Sequence, residues 1–123
     1  QDLMKNILIK NNICRLAGYG WGWQRPNKIS MNIQGWRHKN PAENFIITGN
    51  IFDRSRDMLI FTGVREKAHL PQMNNNVYIQ HRGKKFGFYG VNTEKDILIF
   101  DDNIKKVLSD KKVDDNPVII FID

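Results

Sequence analysis

Two stretches of this chain read alike at a fixed separation. Lys5 to Arg15, K-N-I-L-I-K-N-N-I-C-R, laid over Glu43 to Asp53 puts Asn6 on Asn44, Ile7 on Phe45, Leu8 on Ile46, Ile9 on Ile47, Asn12 on Asn50 and Ile13 on Ile51. The offset is constant, 44 − 6 = 38. In the second copy two apolar runs, Phe45-Ile46-Ile47 and Ile51-Phe52, flank a Gly49-Asn50 corner. Each run is too short for a helix, and β-branched and aromatic residues favour pleated strands. Gly and Asn enter left-handed backbone geometry at least cost. The pattern is therefore strand, sharp corner, strand. Self-similarity at a fixed period marks stacked units, each of which needs its neighbour to bury an apolar face. An ordinary antiparallel sandwich is the alternative that such short strands leave open.

N-I-L-I-K-N-N-I-C and N-F-I-I-T-G-N-I-F-D-R-S resemble coils of the right-handed parallel β-helix proteins. The longer series G-Y-G-W-G-W-Q-R-P, then Q-G-W, then G-N-I-F-D-R-S, is similar to the C-terminal part of secreted β-helix proteins that act on polysaccharides, glycoside hydrolases among them. The resemblance covers most of Asn6 to Tyr89. It implies an all-β fold of right-handed parallel β-helix coils, a secreted or periplasmic location, and a polysaccharide or oligosaccharide as partner. It is specific for the fold more than for the reaction, because such coils also serve lyases, adhesins and non-catalytic repeats.

At 123 residues the chain is one domain by size, short for a complete β-helix enzyme. Gln1 reads as a processing or fragment start, and the first rung is expected to be covered by N-terminal coils of a parent protein or by another chain. The sequence holds no apolar run of about 18 residues or more, so no membrane span is expected. The single Cys14 precludes an internal disulfide and reads as a small buried hydrophobe. A net charge of +6 implies attraction to polyanions, with acidic glycan favoured. No nucleic-acid-binding motif accompanies the charge, so nucleic acid is set aside as a partner. A nucleophile elbow, a phosphate loop, a dinucleotide fingerprint and a metal-ligand spacing are all missing, and no cofactor is expected.

In chain order, Leu3, Ile7, Ile9 and Ile13 are the expected inward positions of the first rung. Residues 15–41 then read as a Trp- and Gly-rich insertion, since a 38-residue offset exceeds an ordinary coil of about 20 to 30 residues. It contains Trp21, Trp23 and Trp36, with Arg25, Arg37, His38 and Lys39 alongside. Indole faces stack on sugar rings and cationic side chains hold carboxylates or sulfates, so Trp21, Trp23, Arg25, Trp36, Arg37 and His38 are substrate-binding candidates. The alternative is that the aromatics merely cover the end of a coil. Within this region Ser30 to Gly35 alternates as a strand, with Met31, Ile33 and Gly35 on one side.

The densest cluster of candidate chemistry follows the central rung: Asp53, Arg54, Arg56 and Asp57. Glycoside hydrolysis needs two carboxyl groups, about 5 to 5.5 Å apart for retention or roughly 6.5 to 9.5 Å for inversion. Asp53 and Asp57, with His69 as an acid–base group, are the catalytic candidates, and Arg54 and Arg56 are substrate-binding ones. Alternatively, Asp53 and Ser55 satisfy turn backbone while Arg54 and Arg56 pair with acids on neighbouring coils. Met58–Gly63 and Asn76–Gln80 read as strands separated by a polar loop, and Tyr78–Tyr89 as a hairpin about Arg82-Gly83-Lys84. Residues 92–123 read as a C-terminal cap: a strand at Asp96–Phe100, a short helix over residues 102–110 with Ile104, Val107 and Leu108 on one face, and a final apolar strand V-I-I-F-I. Two functions remain, a carbohydrate-active segment of a glycosidase-like protein or a non-catalytic glycan-binding or capping segment of the same architecture.

Overall fold

The structure, a computed structural model, describes residues 5–19, 28–34, 43–64, 66–91 and 96–122. Eleven strands and one helix are described: β1 Lys5–Lys10, β2 Ile13–Ala17, β3 Met31–Gln34, β4 Glu43–Thr48, β5 Ile51–Ser55, β6 Ile60–Val64, β7 Gln72–Asn74, β8 Val77–His81, β9 Lys85–Val91, β10 Leu98–Ile99, α1 Ile104–Asp110 and β11 Val118–Ile122. The fold is all-β in character, built on three sheets ordered β1-β4-β7, β2-β5-β8-β11 and β3-β6-β9-β10. Every described pairing is parallel except β9 with β10. Three consecutive strands visit three different sheets, and the next three lie on them in the same order.

The repeat seen in the sequence is the register itself. Ile7 pairs with Phe45, Leu8 with Ile46 and Ile9 with Ile47 across β1 and β4; Ile13 pairs with Ile51 and Cys14 with Phe52 across β2 and β5. Between β3 and β6 the offset falls to 60 − 31 = 29, and between β4 and β7 to 72 − 46 = 26. The first layer therefore carries 38 − 29 = 9 more residues than the second between β2 and β3, and 29 − 26 = 3 more between β3 and β4. The insertion expected over 15–41 thus divides around a true strand, β3, whose Met31 and Ile33 pack on the core.

Corners are set by backbone that L-residues adopt reluctantly. Asn11, Gly49 and Asn75 occupy equivalent corners with φ of 58°, 69° and 57°, and Asn6 and Asn44 repeat the same geometry earlier in the layer. Asn and Gly tolerate this region best, which is why those types recur there. The residue after each first corner builds a polar ladder through the interior. Asn50 is wholly buried; its N–H and side-chain amide donate to Asn76 Oδ1 at 2.9 and 3.1 Å, and its own Oδ1 accepts the N–H and amide of Asn12 at 2.9 and 3.1 Å. The spare amide hydrogen reaches the carbonyls of Ile9 and Thr48. Asn76 in turn donates to Asp114 Oδ2, which also accepts the Tyr78 hydroxyl at 2.8 Å. A carboxylate has no N–H to pass on, so the ladder ends there. Burial, and then the neighbouring Asp114 charge, push the Tyr78 hydroxyl well above its ordinary pKa, and it remains a donor.

Around the ladder Ile47, Phe52, Leu59, Ile60, Met73, Tyr78, Phe86 and Phe100 close the core. Phe52 stacks on Tyr78 at 5.6 Å between centroids, and Phe86 meets the Tyr78 ring edge-on at 4.9 Å. Gly87 allows β9 to lie against Ile60, whose carbonyl oxygen occupies the space a Cβ would need.

Several expectations change. Ile13 is 66% exposed, and Cys14 faces inward instead, because the Asn12 corner resets the alternation between β1 and β2. Leu3 lies outside the described residues. β8 and β9 do not form a hairpin: the Arg82–Lys84 turn carries the chain from one sheet to another, and each strand pairs in parallel with the layer before it. The antiparallel pair of the C-terminal region is β9 with β10. Residues 96–122 also do more than cap. Beside α1, whose Ile104 and Leu108 are buried, they add β11 in parallel to β8, Val118 on Val77, and supply Asp114 to the ladder. A three-residue strand, β7, emerges from the stretch expected to be a loop.

Candidate functional site

Asp53 lies on β5 at the outer face of the second sheet, directly over Arg15 of β2. Its carboxylate accepts Arg15 Nε at 3.0 Å and Arg54 Nε at 2.8 Å, with a further bond from the Arg54 guanidinium at 3.3 Å. These arginines cover it to 8% exposure. Arg54 reaches back because its backbone is left-handed, φ 53°, as is Leu16 one layer before it. The hydrogen bonds from Arg54 hold the Asp53 carboxyl below its ordinary pKa against the opposing effect of burial, and the bond from Arg15 adds to them.

The face continues past β5. Lys84 Nζ donates to the Tyr19 hydroxyl and to the Ser55 carbonyl, each at 3.2 Å, and Arg56 donates to the Gly18 carbonyl at 3.3 Å. Gln80 amide, fully buried, also donates to the Ser55 carbonyl at 2.9 Å. Gly18 permits this crowding, since a Cβ there would press on Lys28 and Arg56. Asp57 follows the strand and pairs with Lys85 at 3.3 Å. Arg15, Arg54, Arg56, Lys28, Lys84 and Lys85 thus outnumber Asp53 and Asp57, and the net field of the face is positive.

The two carboxylates expected to act as a pair are drawn to different cations, Asp53 to the arginines and Asp57 to Lys85. His69 stands elsewhere, on the 3-10 turn Lys67–His69 between β6 and β7, where its Nε2 lies 3.3 Å from Glu66 Oε2. No described bond links it to Asp53 or Asp57. Trp21, Trp23, Arg25, Trp36, Arg37 and His38 lie outside the described residues. Arg15, Tyr19 and Lys84 join the face without having been singled out; Arg15 was legible, because the 38-residue alignment ends with Arg15 over Asp53.

Among the described residues no cluster of His, Cys, Asp and Glu suits a metal ion. No helix of the described residues is long and apolar enough to cross a membrane. Compared with protein-family models, curated proteins and solved structures, the chain matches none.

Proposed function

We propose that the chain forms coils of a right-handed parallel β-helix and that its basic face binds an acidic polysaccharide without cleaving it. The coil reading is supported by the order of the three sheets, with strands three apart stacked in parallel. The hand follows the strong bias of parallel crossovers toward right-handed connection. The observation that carries the binding reading is the Arg15–Asp53–Arg54 clamp. A hydrolase needs one carboxyl with a raised pKa to protonate the leaving oxygen. Asp53 is shifted the other way, which unfits it for that role, and it accepts three hydrogen bonds from guanidinium groups. Its role on this reading is to fix Arg15 and Arg54, while Arg56, Lys28 and Tyr19 meet the glycan.

Trp21, Trp23, Trp36, Arg25, Arg37 and His38 belong to the same proposal as stacking and charge-pairing groups. So do a secreted or periplasmic location and further coils, from a parent protein or another chain, as neighbours of β1, β2 and β3.

Calorimetric titration with polygalacturonate and with a neutral glucan of similar length tests the reading, alongside a reducing-end assay. Saturable binding of the acidic polymer alone, weakened at least tenfold in Arg54→Gln/Arg56→Gln, is the expected result. Equal binding of both polymers would remove the acidic-glycan assignment. Release of reducing ends that disappears in a folded Asp53→Asn variant would replace binding with hydrolysis.

A further inference from the structure

A second groove lies away from the Asp53 face, where the 3-10 turn Lys67–His69, β7, β9 and the end of α1 meet. Its cavity is about 600 Å³ and is lined by Lys67, Leu70, Gln72, Tyr89, Lys111 and Lys112, together with Ala68 and Gly90. A smaller cavity of about 310 Å³ adjoins it through the shared residues Gln72, Tyr89 and Lys112 and adds Asn74 and Asp115. The larger volume falls within the usual range of small-ligand sites, roughly 300 to 1,000 Å³.

The chemistry of the lining is two-sided. Leu70, Ala68 and the Tyr89 ring are apolar. The Tyr89 hydroxyl is already committed, donating to the Pro71 carbonyl at 2.5 Å. Burial, and next the Asp115 charge, raise its pKa to about 12, so it presents a neutral, fixed ring. The ammonium groups of Lys67, on the 3-10 turn, and of Lys111 and Lys112, just after α1, stand in no ion pair or side-chain hydrogen bond among the described residues. Lys111 and Lys112 follow the C-terminus of α1, where cations are favoured on the helix's account alone. That account does not reach Lys67, which stands on the 3-10 turn between β6 and β7. Gln72 and Asn74 add amide groups for hydroxyls.

We infer that this groove is a second binding site, for a short uronic-acid oligosaccharide: a sugar ring on Tyr89, its carboxylates on Lys67, Lys111 and Lys112, and its hydroxyls on Gln72 and Asn74. The inference rests on the acidic-glycan reading of the chain and adds a separate place and ligand length to it. A carboxylated sugar fits better than a bare anion because it brings an apolar ring face to Tyr89 and Leu70 as well as charge to the lysines.

Calorimetry with a galacturonate trisaccharide separates the two sites. The wild-type chain is expected to show two binding events. Lys67→Gln/Lys111→Gln/Lys112→Asn should retain one and weaken the other at least tenfold, with Lys→Arg at the same positions restoring it. Tyr89→Leu should lose the groove event, with circular dichroism checking that each variant is folded. Two events intact in the lysine variant would overturn the groove and leave the basic face standing. A single wild-type event, lost only in Arg54→Gln/Arg56→Gln, would do the same. Absence of any wild-type event would overturn both. Equal affinity for inorganic sulfate would overturn the sugar assignment by reducing the groove to a site for charge.

Discussion

Asn50 and Asn76 are joined twice, through the backbone N–H and the side-chain amide of Asn50 to the single Oδ1 of Asn76, at 2.9 and 3.1 Å. The same two-to-one contact links Asn12 to Asn50, so the ladder has a direction: each layer donates toward the C-terminal end. Asn50→Asp would set a carboxylate against Asn76 Oδ1 and the carbonyls of Ile9 and Thr48. Leaving buried groups unmatched costs about 1–3 kcal/mol each, and more where a charge is involved. Chemical denaturation should show Asn50→Asp destabilised by roughly 3 kcal/mol or more. Asn12→Ala, at the exposed end of the ladder, should cost only about 1 kcal/mol. Similar losses in the two variants would show that the ladder does not hold the layers together.

The Asp53 clamp makes an acid-side prediction. Its folded pKa is depressed, so its contribution is fully present above the unfolded carboxyl value, about 3.9, and is lost as pH falls through the lower folded value. Asp53→Asn should therefore be less stable than wild type at neutral pH, by roughly 1–2 kcal/mol, since Arg15 is largely exposed and Arg54 is not. The gap should close below about pH 4. Thermal unfolding at neutral and acid pH reads both values; a gap that widens on acidification would reverse the sign argued here.

How much of this was legible depends on where one residue type could stand for another. β1 on β4 and β2 on β5 were visible because the apolar runs and the Asn corners coincide at one offset. The ladder's far end was hidden. Asp114 replaces Asn, and although it lies 114 − 76 = 38 residues beyond its partner, the strand after it pairs at 118 − 77 = 41. β7 was missed because Met73 is its one buried apolar residue, too little for any periodicity. The β8–β9 hairpin was expected because alternation reports which side chains face inward and is silent on which neighbour a strand chooses. At the candidate site Arg15 was readable from the register, whereas Tyr19 and Lys84 meet across different layers, 65 residues apart, and no local pattern announces them.

Gly49 supplies a sharper test of the corner than its neighbours. With φ of 69° it sits where an L side chain is strained, and an added Cβ would stand 2.5 Å from Asn11 Oδ1. Asn occupies the equivalent corner at positions 11 and 75, but Asn75 and Asn11 differ from Gly49 in being exposed. Gly49→Ala should lower stability by about 1–3 kcal/mol, through left-handed strain and displacement of Asn11. Asn11→Gly in the same chain should relieve the clash but not the strain. Full recovery in that double variant, measured by equilibrium unfolding, would mean that the contact alone sets the cost.

Phe52 and Tyr78 stack at 5.6 Å with planes 16° apart, one above the other in successive layers, and Tyr78 also carries the hydroxyl that closes the ladder on Asp114. Packing and polar order are therefore coupled at one side chain. Phe52→Leu keeps apolar volume near the site and should cost about 1–2 kcal/mol, whereas Phe52→Ala opens a cavity and should cost about 3–5 kcal/mol. Tyr78→Phe removes only the donor to Asp114 and should cost about 1–3 kcal/mol. If the ring stack positions that hydroxyl, Phe52→Ala combined with Tyr78→Phe will fall short of the sum of the single losses by at least about 0.5 kcal/mol, because the first change already loosens the bond the second deletes. Strict additivity in the double-mutant cycle would show that the stack and the ladder stabilise the sheets independently.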